Sequence, residues 1–135
     1  MVEILLYLAT HCGFLFRPGG FRLVDSRVDQ SSGGDAFVRL ESESTRLCFT
    51  LDRGQLLLSF QGVGGDPKEW FSLGLLRGVL TGHRGGSEVL DAAWAEFLES
   101  SLEELERRFS HPELTQDTVK SLEKQGRLRA KELFG

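Results

Sequence analysis

From Val2 to Phe16 the apolar residues Ile4, Leu5, Leu8, Cys12, Leu15 and Phe16 recur at steps of three and four. One face of an α-helix has that period, so the spacing predicts an amphipathic helix ended by Arg17-Pro18-Gly19-Gly20. Gly13 weakens its last turn. The period then changes to two. Phe21, Leu23 and Val28 open a strand region that stops at the Gln30–Gly34 connector, and Ala36–Glu43 alternates through Val38 and Leu40. Between Thr45 and Leu51, Leu47, Phe49 and Leu51 share one face while Arg46, Cys48 and Thr50 share the other. Asp52-Arg53-Gly54 reads as a hairpin turn, after which Leu56, Leu58 and Phe60 carry the apolar face onward. This pattern predicts an antiparallel meander of about four strands with one face buried.

Gln61–Pro67 reads as a loop, and Trp70 to Leu80 as an extended start followed by a short helix ending at Thr81-Gly82. His83–Ser87 is a second loop, with Ser87 as the expected N-cap of the next helix. Over residues 88–109, Leu90, Trp94, Phe97, Leu98, Leu102, Leu105 and Phe109 form one continuous helical stripe. Ser110 and Glu113 have the spacing of a capping box, which restarts the chain as a last helix anchored by Val119 and Leu122. Gly126 is expected to break or bend that helix. The predicted fold class is therefore α+β: an N-terminal helix, a four-stranded antiparallel meander, then three helices. The first helix and the 88–109 helix are the natural cover for the sheet's apolar face.

Composition narrows the class. A chain of 135 residues, 40% hydrophobic and with ten Phe, is expected to be one globular domain spanning 1–135, with a core that needs no staples. No stretch approaches the roughly 20 apolar residues of a membrane span. Met1-Val-Glu-Ile-Leu-Leu-Tyr7 lacks the positive start of a signal peptide, so a cytoplasmic protein is expected. Cys12 and Cys48 read as two reduced thiols packed as small hydrophobes. The net charge of −4 argues against direct nucleic-acid or membrane binding. The preference for Arg over Lys is a bias expected of a GC-rich bacterial genome.

Catalytic signatures are sparse. His11, His83 and His111 form neither a helical His pair nor a Cys/His metal pattern, so neither metal nor cofactor is expected. His11 and Cys12 are neighbours on a helix, and their side chains diverge by about 100° rather than forming a nucleophile–base pair. Glu41 and Glu43 would share a strand face, more as solvated charges than as an acid–base pair. Gly62–Asp66 lacks the spacing of a dinucleotide loop, and Pro67 removes a donor. Gly82–Ser87, with Arg84, is a surface turn that could serve as a small anion nest. The reading is non-enzymatic.

Charge is distributed unevenly. Lys120, Lys124, Arg127, Arg129 and Lys131 form a basic C-terminal segment opposed by Glu123. From Glu88 to Glu106 there are seven acids and neither Lys nor Arg. Helical spacing gathers Glu96, Glu99, Glu103 and Glu106 on a face away from the apolar stripe. Two accounts follow: the basic segment folds back on these acids, or the acids steer a basic partner.

Thr45-Arg-Leu-Cys-Phe-Thr-Leu-Asp-Arg-Gly-Gln-Leu-Leu-Leu-Ser-Phe-Gln61, followed by Glu69-Trp-Phe71 and Leu80-Thr-Gly82, resembles small bacterial proteins of the immunity type. Those belong to polymorphic toxin and contact-dependent inhibition systems. The resemblance spans residues 37 to 82 and implies function by binding: occlusion of a basic toxin, often a nuclease. On this reading Glu96, Glu99, Glu103 and Glu106 supply charge complementarity and Trp70 an aromatic anchor. Trp94 belongs rather to the core. Two other functions are weighed beside it. One is an accessory subunit of a bacterial assembly that self-associates through the open edge of the meander. The other is a small-ligand binder or enzyme using the Gly82–Ser87 loop and the histidines.

Overall fold

The computed structural model describes residues 1–29 and 35–134; the expected Gln30–Gly34 connector lies outside the described residues. Alternating side chains give a meander of β1 (Arg22–Asp29), β2 (Asp35–Glu41), β3 (Thr45–Asp52) and β4 (Gln55–Gly62). A two-residue β5 (Phe71–Ser72) adds to β4, and the five strands lie antiparallel in the order β1-β2-β3-β4-β5. The fold is α+β, with an N-terminal helix, this sheet and C-terminal helices. Between β3 and β4 the turn residues Arg53 and Gly54 have φ of 53° and 81°, the left-handed pair that matches strand twist in a two-residue hairpin.

Val38 and Leu40, Leu47 and Phe49, and Leu58 and Phe60 point to one face of the sheet and are buried there. That face is covered by α1 (Val2–His11), through Ile4, Tyr7 and Leu8, and by α3 (Ala92–Ser110), through Leu98 and Leu105. Tyr7 packs on Phe49 with ring centroids 6.3 Å apart, and Phe60 meets both Phe71 and Phe109 at 6.0 and 6.1 Å. Each large side chain so buried stabilises the fold by about 1.5–3 kcal/mol. The expected cover is the observed one.

Several boundaries differ from the pattern. The first helix stops at His11, and Gly13–Phe16 forms a 3-10 turn instead of a last α-turn. β2 ends at Glu41, and Ser42–Ser44 turns the chain, with the Ser42 hydroxyl accepting from Thr45 N at 3.1 Å. α2 (Leu73–Thr81) ends at left-handed Gly82 as expected. The N-cap of α3 is Asp91 and not Ser87: its carboxylate accepts from Trp94 N at 2.9 Å, three residues on. Residues 88–90 are drawn off the helix because Leu90 N donates to Leu56 O at 2.8 Å and Glu88 accepts from Gly74 N at 2.7 Å.

The capping box is not formed. Ser110 closes α3 by donating to Glu106 O, and α4 (Pro112–Phe134) starts instead at a proline. Proline suits a first helical position and pushes the residue before it into extended geometry, as seen for His111 at φ −124° and ψ 122°. Gly126 neither breaks nor ends α4, which runs on through Phe134. Beside it Gln125 packs directly on Gly78 of α2, leaving no space for a side chain there. No helix among the described residues is long and apolar enough to cross a membrane.

Candidate functional site

The rotation of α3 is fixed by Leu98, Leu105 and Phe109 in the core, and this turns the next face outward. Glu96, Glu99 and Glu103 are exposed on it, and Glu106 is half-buried. Glu99, Leu102, Glu103 and Glu106 form one wall of a groove of about 330 Å³; Phe14, Arg17 and Pro18 are on the opposite wall. Glu99 reaches Arg17 at 3.5 Å across this groove, between two exposed side chains. Among the described residues Glu96, Glu103 and Glu106 make no side-chain hydrogen bond or ion pair.

The nearest cations are otherwise engaged. Arg107 and Arg108 both turn to Glu104, at 2.7 and 3.0 Å. The hydrogen bond from Arg107, helped by the charges of both arginines, holds the Glu104 carboxyl down to about 2. The basic C-terminal segment does not fold back on the Glu96–Glu106 row. Arg129 goes to Glu88 at 2.7 Å, while Lys120, Lys124, Arg127 and Lys131 form no ion pair among the described residues. The first of the two accounts of the acidic run is therefore met at Glu88 alone.

Trp70 is not beside the row. It precedes β5, and its ring centroid lies 5.5 Å from the Arg39 guanidinium, which also stacks over Phe37 at 4.6 Å. Arg39 and Phe37 alternate with the buried Val38 and Leu40, so Trp70 reaches the face of the sheet opposite α3.

The remaining candidates have local explanations. Glu41 accepts from Arg46 at 2.7 Å and from Arg22 at 3.2 Å, whereas Glu43 sits in the turn, so the two do not form a carboxylate pair. His11 stacks on Tyr7 at 5.1 Å. Cys12 is fully buried, and desolvation, with Glu99 nearby, pushes its thiol up to about 12. Both cysteines are free thiols. In the Gly82–Ser87 loop, Arg84 is held by the chain's own Glu132 at 2.7 Å. No group of three or more His, Cys, Asp or Glu among the described residues could hold a metal ion.

Sequence reasoning missed a second cleft. It encloses about 500 Å³ where the Gly64-Gly65 loop meets the α3–α4 corner, over Phe109, Pro112 and Val119. Asp66, Glu69 and Glu123 line it beside Lys120. Burial, a hydrogen bond shared with Glu123 and the charges of Glu123 and Asp66 raise the Glu69 carboxyl above its ordinary value. The Gln61 amide, on β4, pins this loop by donating to the carbonyls of Pro67 at 3.3 Å and Glu69 at 3.0 Å. Nothing in the local sequence joins Glu69 to Glu123; only the docking of α4 does. No family model, curated protein or solved structure matches this chain.

Proposed function

We propose that this chain is a non-enzymatic binding protein of the immunity or antitoxin type, acting in the cytoplasm, which docks a basic protein partner along the outer face of α3. The observation that carries the reading is the groove between α3 and the Phe14–Pro18 segment. Leu102 and Phe14 give it apolar surface, while Glu103 and Glu106 stand on its wall and make no ion pair among the described residues. A Lys or Arg side chain of a partner has the chemistry such a groove accepts: its stem packs on apolar surface and its head meets carboxylates. Carboxylates left unneutralised on one face also accelerate the encounter with a cationic surface. A nuclease toxin, basic because it binds phosphate, fits as the partner that the family resemblance implies. Glu99 is part of the same wall, and release of Arg17 would add its charge. Trp70, on the other side of the sheet, would anchor a partner only if that partner wraps the sheet edge.

The test is a pull-down from the native host with the tagged wild-type chain and with Glu103→Lys/Glu106→Lys, at low and high salt. One stoichiometric basic protein, lost in high salt and absent with the variant, is the expected result. Equal recovery by the variant would remove α3 as the binding face, and failure to recover any basic protein would remove the proposal.

A further inference from the structure

β1 is the outermost strand of the sheet, so among the described residues one of its backbone edges has no strand beside it. All eight of its residues are exposed, including Leu23, Val24 and Val28. The other edge of the sheet, β5, is only two residues long. Charges on a long edge strand ordinarily keep other strands away. Those of β1 are ordered in a way that admits one particular strand.

Around Ser26 the sequence reads Val24-Asp25-Ser26-Arg27-Val28. A second β1 laid antiparallel, with a two-fold axis through Ser26, sets Asp25 opposite Arg27, a pair that occurs twice. Opposite charges directly across an antiparallel pair are favourable, and like charges are not. A slip of two residues one way places Asp25 against Asp25. A slip the other way places Arg27 against Arg27 and Asp25 against Asp29. Odd slips set the core-side residues of one sheet against the solvent-side residues of the other. Of the registers that pair the whole Asp25–Asp29 segment or its middle, the Ser26-centred one satisfies the charges; a slip of four, centred on Val28, also sets Arg27 opposite Asp29 but leaves Asp25 beyond the partner strand.

The strand is also shaped for it. A bulge lies between Leu23 and Asp25, but from Asp25 to Asp29 β1 pairs with β2 in unbroken register, so the segment carrying the complementary charges is regular. Arg27 makes no ion pair among the described residues; Asp25 makes a loose one with Arg39 at 3.7 Å and accepts from the adjacent Ser26 N at 2.9 Å, a bond that β1–β1 pairing exchanges for its own. We infer that the chain forms a two-fold dimer by β1–β1 pairing about Ser26, joining two five-stranded sheets into one. This interface involves neither the α3 groove nor its acids, and it stands or falls separately from the proposed function.

Sedimentation velocity tests it at about 100 μM chain, a concentration suited to an interface at the small end of the protein–protein range. The wild-type chain is expected to sediment with twice the monomer mass. Asp25→Arg and Arg27→Asp should each give monomers, because each creates two like-charge pairs across the axis. An equimolar mixture of the two variants should recover the doubled mass, since each then offers the charges the other lacks. Circular dichroism confirms folding, and Arg27→Asp disturbs no ion pair among the described residues. A monomeric wild type overturns the inference and leaves the edge to a strand of another protein. Dimeric single variants, or a mixture that stays monomeric, overturn the register.

Discussion

Arg129 of α4 donates to Glu88 at 2.7 Å, and the other Glu88 oxygen accepts from Gly74 N at the start of α2, also at 2.7 Å. One carboxylate thus caps α2 and clasps α4 to it, although it lies on neither helix. It also takes the one ion pair that the basic segment makes among the described residues, so that segment does not reach Glu96, Glu103 or Glu106.

The clasp is partly shielded from water, so its removal should be measurable. Glu88→Ala takes away the partner of Arg129 and of the Gly74 amide together and is expected to cost about 1–3 kcal/mol. Urea unfolding of Glu88→Ala, Arg129→Ala and the double variant checks this. A double variant much less destabilised than the sum of the singles is the expected sign of coupling.

Gly62 leaves room for one ring. A methyl group there would lie 2.8 Å from the Phe109 ring, which is itself packed against Phe60. Gly62→Ala should destabilise by about 1–3 kcal/mol through overpacking. Equilibrium unfolding checks it.

Glu104 should titrate well below an ordinary carboxylate. With its carboxyl held at about 2 against an ordinary 4.5, the native state binds fewer protons here than the unfolded chain. Its stabilising contribution is therefore present above pH 4.5 and lost as pH falls toward 2. A carboxyl-carbon NMR titration should give a midpoint near 2, and Arg107→Ala should move it upward.

Glu69 has the opposite sign. Its carboxyl is raised by burial and by Glu123, so its contribution favours the folded state at low pH and is lost as pH rises through its folded value. Glu123→Gln removes a like charge and should lower the Glu69 midpoint in the same NMR titration. It should also stabilise the chain at neutral pH relative to acid.

Periodicity exposed the meander and the α3 stripe because both follow from which side chains avoid water, and the same spacing set Glu96, Glu99, Glu103 and Glu106 on one outward face. It placed the cap of α3 at Ser87, and the cap is Asp91. That choice depends on Leu90 N meeting Leu56 O across the fold. The Ser110–Glu113 spacing was a competing signal that Pro112 overrode through its fixed φ. Which acids would keep a cation was equally beyond reach: Arg107 lies next to Glu106 in sequence yet bonds to Glu104, one helical turn back. The cleft between Glu69 and Glu123 exists only once α4 has docked.

In the proposed function, Glu103 and Glu106, which make no ion pair among the described residues, draw in a basic partner. The most direct measurement is the association rate of the partner recovered by the wild-type chain, followed across salt concentration for wild type and for Glu103→Lys/Glu106→Lys. If α3 draws in the partner, the wild-type rate falls steeply with salt, and the variant's rate is lower by about tenfold or more with a flattened salt dependence. Equal rates and equal slopes for the two proteins would contradict it.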